Sequence, residues 1–124
     1  MRVLICGDRN WRNFHLIAFT LSGVCKAHNV ECVIDGAARG ADTMGFHAAT
    51  LMKLPTLRFP ADWKKHGKAA GPIRNRQMLT EGKPDLVLAF HNSIESSKGT
   101  ADMVRIARKA DIETRVVTES NGYS

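Results

Sequence analysis

Four short stretches hold the residues whose types and spacing suit the handling of an anion. Gly7-Asp8-Arg9-Asn10-Trp11 opens on a glycine that lets a backbone come close, followed by an acid and a cation. Gly36-Ala37-Ala38-Arg39-Gly40-Ala41-Asp42 is a run of small side chains that uncovers backbone N–H groups, with Arg39 able to reach a phosphate through two parallel N–H bonds. Gly71-Pro72-Ile73-Arg74-Asn75-Arg76 puts two arginines at the expected start of a helix, where exposed cations oppose the helix dipole unless an anion sits between them. Ser96-Ser97-Lys98-Gly99-Thr100-Ala101-Asp102 combines a lysine, a glycine and a capping hydroxyl at another helix start. Each stretch alone is ordinary, since glycine makes tight turns and Gly-Thr begins many helices. Their value lies in falling on one edge of a sheet, if the elements between them build one.

Other chemistries find less support. The chain has no G-x-G-x-x-G fingerprint, no G-K-[ST] after its glycine-rich stretch and no G-x-S-x-G turn. His15, His28, His47, His66 and His91 show no paired ligand spacing, so no metal and no cofactor are expected. Trp11 and Trp63 fall beside the candidate stretches, where each could stack on a base or pack at the rim of a core.

The elements that must position these residues alternate. Val3-Leu4-Ile5-Cys6 is a continuous apolar run, as in a strand buried on both faces. From Trp11 to His28, Phe14, Ile17, Ala18, Leu21, Val24 and Cys25 recur at helical spacing. Strands are predicted over 30–35, 56–59, 85–90 and 113–118, and helices over 40–53, 72–80 and 100–110, with Thr100 as an N-cap. The polar stretch 62–71 reads as a loop. This β-α alternation predicts one Rossmann-like, doubly wound α/β domain over residues 1–118, a five-stranded parallel sheet in the order 3-2-1-4-5 with helices on both faces. Residues 119–124 read as a flexible tail. Ligands of such sheets bind beyond the carboxyl ends of the strands, where the strand order reverses.

The 124 residues leave room for one core, and no apolar run is long enough to cross a bilayer, which predicts a cytoplasmic protein. Three cysteines without C-x-x-C spacing read as buried free thiols. The net charge is +6, and between Arg58 and Lys83 seven basic residues face two acidic ones. Such a field favours phosphate-bearing partners, a nucleotide or a nucleic-acid backbone, although a solvated basic surface has the same composition.

At the four stretches the chain resembles the SLOG superfamily, whose members include LOG nucleotide-processing enzymes and DprA DNA-binding proteins, and most closely its YspA-type (cpYpsA-related) branch, found in phage and bacterial genomes. Asp35-Gly36-Ala37-Ala38-Arg39-Gly40-Ala41-Asp42, Phe59-Pro60-Ala61-Asp62-Trp63, Gly71-Pro72-Ile73-Arg74-Asn75-Arg76 and Lys98-Gly99-Thr100-Ala101-Asp102-Met103 carry the likeness. The resemblance implies binding, by sensing or sequestration, of a nucleotide or nucleotide-derived ligand. Gly7, Asp8, Arg9, Gly36, Ala37, Arg39, Gly40, Ala41, Asp42, Arg74, Asn75, Arg76, Lys98, Gly99 and Thr100 are the candidate ligand contacts. LOG-type enzymes cleave the N-glycosidic bond of nucleoside monophosphates with an arginine and a P-G-G-x-G-T-x-x-E glutamate. Arg76 matches that arginine, but Met103 occupies the glutamate's position, leaving Asp102 with Arg76 as the alternative catalytic pair. A further alternative is DprA-like binding of single-stranded DNA, favoured by the basic stretch and opposed by an aromatic content of 6%. Relatives often dimerise, and the apolar first helix could serve a homodimer.

Overall fold

The computed structural model describes residues 1–120. Five strands, β1 (Arg2–Gly7), β2 (Cys32–Asp35), β3 (Thr56–Arg58), β4 (Leu86–Phe90) and β5 (Glu113–Val117), form one sheet in the order β3-β2-β1-β4-β5. Every neighbouring pair is parallel. The expected architecture and strand order are therefore both present. Between the strands lie α1 (Phe14–Ala27), α2 (Ala41–Leu51), α3 (Trp63–His66), α4 (Ala70–Gln77) and α5 (Gly99–Lys109).

Alternate residues of the central strands point into two separate cores, which is why those strands read as unbroken apolar runs. Val3 and Ile5 meet Leu16, Ile17 and Leu21 of α1 and Ala48 and Ala49 of α2. Leu4 and Cys6 meet Met103, Ile106 and Ala107 of α5, with Met78 just beyond α4. α1 begins at Phe14, three residues after the start expected at Trp11, where the Asn13 side chain accepts the Leu16 N–H at 3.0 Å.

The stretch 62–71, expected as a loop, is helical instead. The Asp62 side chain accepts the Lys65 N–H at 3.1 Å and starts α3, a 3-10 turn covers Gly67–Ala69, and α4 follows at once. α4 thus begins two residues before Pro72, which still sits in the first turn, where its missing N–H has no partner to lose. At its other end α4 widens into a π-helical turn over Met78–Gly82. Of the expected tail, Glu119 is tied to Asn92 by two hydrogen bonds of 2.8 Å, and residues 121–124 lie outside the described residues. Among the described residues no helix is long and apolar enough to cross a membrane.

Candidate functional site

The strand order reverses between β1 and β4, and the backbone there is tightly drawn. The Asp8 N–H donates to the Phe90 carbonyl at 2.9 Å, and a Cβ on Gly7 would collide with that same carbonyl and with the Ala41 side chain. The Asp8 carbonyl accepts from Ala41 at 3.1 Å, bringing the turn after β1 onto the start of α2. Gly40 bridges the two at φ +80, with no room for a side chain against the backbone of Asp8 and Arg9.

The turn after β2 looks inward. Ala37 takes φ +59, and the amides around it turn toward carboxylates of the chain itself. Gly36 N–H donates to Asp42 Oδ2 at 2.9 Å, Ala37 N–H donates to Asp35 Oδ1 at 2.7 Å, and the Ala38 amide bonds the Asp42 carboxylate as well. The amides that the sequence offered to a phosphate are thus already hydrogen-bonded to acids. Two arginines balance those acids. Arg58 Nε donates to both Asp35 oxygens at 3.1 Å, its Nη2 reaches Thr43 Oγ1 at 3.2 Å, and its guanidinium lies 4.1 Å from the Phe46 ring centre. Arg74 Nη1 donates to the Gly36 carbonyl, and its guanidinium stands 2.6 Å from where a Cβ on Gly36 would be.

Burial pushes the Asp42 carboxyl up to about 6, helped by the nearby Asp35 charge and opposed by Arg74 and the Gly36 and Ala38 amides. Asp35 is raised too, again by burial, against the Ala37 amide and Arg58. The Cys6 thiol beneath them is held protonated by burial first and by the Asp42 charge second.

Asn75 joins this half of the site to α5. Only 4% exposed, it accepts from Arg74 Nε at 3.1 Å and donates to the Gly99 carbonyl at 3.2 Å and to Asp102 Oδ2 at 3.1 Å. Asp102 also faces Arg76 Nη1 at 3.5 Å and Arg105 Nη2 at 2.8 Å. Arg74 and Arg76 therefore lie in the last turn of α4, not its first, and their counter-charges are internal. The helix-dipole argument for a bound anion between them does not hold. Thr100 is buried inside α5, and the hydroxyl that accepts its N–H, at 3.0 Å, belongs to Ser97.

Around this network the remaining cations face outward. Arg39 is exposed and donates to Asn10 Oδ1 at 3.1 Å, while Arg9 and Lys98 are exposed and, among the described residues, within ion-pair distance of no carboxylate. The two tryptophans part company. Trp11 is 3% exposed, set edge-on against Phe90 with its Nε1 donating to the Asn13 carbonyl at 2.9 Å, so packing consumes it. Trp63 is 56% exposed on α3. Asp35, Arg58, Asn10 and Ser97 were missing from the sequence-based site. Only the Asp35–Arg58 pair had a readable signal, because the two stand opposite each other in the β2–β3 register.

Residues 1–66 of the chain, from β1 through α3, match the family described as YAcAr: YspA, cpYpsA-related SLOG family. A protein named Gene 61 protein, from Mycobacterium phage D29, is 36% identical over 118 residues, which cover 90% of this chain and 91% of that one.

Proposed function

We propose, since the chain belongs to the YspA, cpYpsA-related SLOG family, that residues 1–118 form one cytoplasmic domain that senses or sequesters a nucleotide or nucleotide-derived small molecule. Its place is the carboxyl edge of the sheet at the β1–β4 reversal. One observation carries the reading: the turns after β1 and β2, the helix α4 and the start of α5 are hydrogen-bonded to one another, while Arg9, Arg39 and Lys98 stay exposed above them. A rigid polar floor under outward-facing cations suits an anion on a polar organic body.

The rim residues take the phosphate in this reading. Arg39 supplies the bidentate contact, with Arg9 and Lys98 beside it, and Gly7, Asp8, Gly40, Ala41, Gly99 and Thr100 wall the space between. Gly36, Ala37, Asp42, Arg74 and Asn75 act from beneath by holding the shape of the floor. A second reading, cleavage of an N-glycosidic bond, rests on the meeting of Arg76 and Asp102. It ranks below binding because Asp102 already has three partners, Asn75, Arg76 and Arg105.

The test is mass spectrometry of small molecules released from the purified protein, with thermal melts against a nucleotide panel. A ligand at about a hundred times its Kd adds about 2.7 kcal/mol to the native state and raises Tm accordingly. That rise should be lost in Arg39→Ala. A protein from which nothing co-purifies, and whose melt no nucleotide moves, would refute the reading. Product formation from a nucleoside monophosphate, abolished by Asp102→Asn, would promote the hydrolytic one.

A further inference from the structure

His91 is the first residue beyond β4, at the β1–β4 reversal. The ladder carries it one step past the strand: its N–H donates to the Val117 carbonyl at 3.1 Å, while the Phe90 carbonyl before it accepts from Asp8. Ala89 faces the core beneath α5 and Phe90 faces the opposite one, so alternation turns the imidazole to the α5 side. Only 8% of the residue is exposed. Its Nδ1 accepts the Ser93 N–H at 3.0 Å, which puts the proton of the neutral ring on Nε2. Among the described residues Nε2–H has no acceptor, yet no fully buried side-chain nitrogen or oxygen lacks a partner. The small exposed part of the ring therefore includes Nε2. A buried imidazole with one N–H left open at the carboxyl edge of the sheet is a donor that the fold itself does not use. Asn92, the next residue, is pinned to Glu119 by two hydrogen bonds of 2.8 Å, so the backbone that carries the ring is held as well.

We propose that His91 is a further contact residue of the sheet-edge site, its Nε2–H donating to a phosphoryl oxygen of the bound ligand. The inference rests on the small-molecule reading of that site and adds a donor that neither the glycine-containing turns nor the exposed cations supply. With Nδ1 occupied, the ring has only a donor to offer, so it selects an acceptor and turns away a ligand N–H. Lys98 is exposed at the start of α5, whose positive end lies at the same edge, and both favour an acceptor that carries negative charge. Because the ring is already held, the contact costs little ordering when the ligand arrives. Holding the Ser93 amide explains Nδ1 and leaves Nε2 without a role, so the two nitrogens can be tested apart.

The experiment is long-range proton–nitrogen NMR of the histidine rings in the full chain, with the His91 signals assigned by their loss in His91→Asn. Before any ligand is added, His91 should show the Nε2–H tautomer. Ribose 5-phosphate, the part common to nucleoside monophosphates, is the probe, and adenosine, which has no phosphate, is its control. Ribose 5-phosphate should move the Nε2 resonance and adenosine should leave it in place. Two substitutions separate the ring nitrogens. Asparagine keeps an acceptor where Nδ1 stands and loses the outer donor, whereas glutamine keeps an N–H near the place of Nε2 and loses that acceptor. His91→Asn should therefore weaken ribose 5-phosphate binding about tenfold or more, with His91→Gln recovering part of it. A residue that only held Ser93 would give the reverse order. The proposal is overturned by the Nδ1–H tautomer, by an Nε2 resonance that saturating ribose 5-phosphate does not move, by movement with adenosine instead, or by His91→Asn binding as well as the parent chain or better than His91→Gln. Nucleotides that raise Tm without moving that resonance would remove His91 and leave the sheet-edge site standing; no rise and no movement would remove both.

Discussion

Asp42 is the residue on which the turn after β2 closes, and its position gives it a measurable signature. Its carboxyl titrates near about 6 in the folded protein against an ordinary value of 3.8, so the native state holds the proton more tightly than the unfolded chain does. The stabilisation linked to that proton is complete below 3.8 and is lost as pH rises through about 6. We expect denaturant unfolding of the parent chain to show stability falling across that window, and Asp42→Asn to flatten the fall. An unchanged slope in the variant would mean that another group carries it; Asp35, raised in the same direction, is the next candidate. The sequence marked Asp42 as a candidate contact, but not that its carboxylate folds back. That depends on Ala37 adopting φ +59, and nothing in a Gly-Ala-Ala run announces a left-handed alanine.

At the scale of the element, two helical glycines show how context sets the sign of one substitution. Gly23 lies in α1 with nothing within 4 Å of where a Cβ would stand. Gly23→Ala should stabilise the protein by about 0.5–1 kcal/mol through helix propensity alone. Gly45 lies in α2 over β1, and its Cβ would stand 2.6 Å from Ile5 Cγ2, on a side chain with no exposed surface. Gly45→Ala should therefore lose stability, because overpacking of about 1–3 kcal/mol exceeds the propensity gain. Thermal melts of the two variants, shifted in opposite directions, are the check. Helices with an apolar stripe were legible for the same reason that α1 is stable: Leu16, Ile17, Leu21 and Val24 face one core. α3 was not legible, since it has no buried stripe to read and is held by the Asp62 cap.

Across the whole molecule, the parallel sheet was legible in the β-α alternation, whereas the strand order was a guess. The structure bears it out and shows its reason in how many faces each strand covers. β1, β2 and β4 bury nearly every residue, so they need a layer on each side and belong in the middle; β3 and β5 carry exposed residues and belong at the edges. That order puts the first strand of the chain at the centre of the sheet. Arg2 and Asp85, hydrogen-bonded where β1 and β4 begin, are 83 residues apart. During synthesis at about 5–20 residues per second, the apolar run of β1 waits roughly 4 to 17 s for the strand that closes its far side. Loop closure over that distance also makes the β1–β4 pairing a slow event in refolding. A nascent chain stopped after α3 should therefore sediment as aggregate or engage a holding chaperone, whereas a chain released after β5 stays in solution. The central place of β1 thus creates an interval of vulnerability before the fold can close.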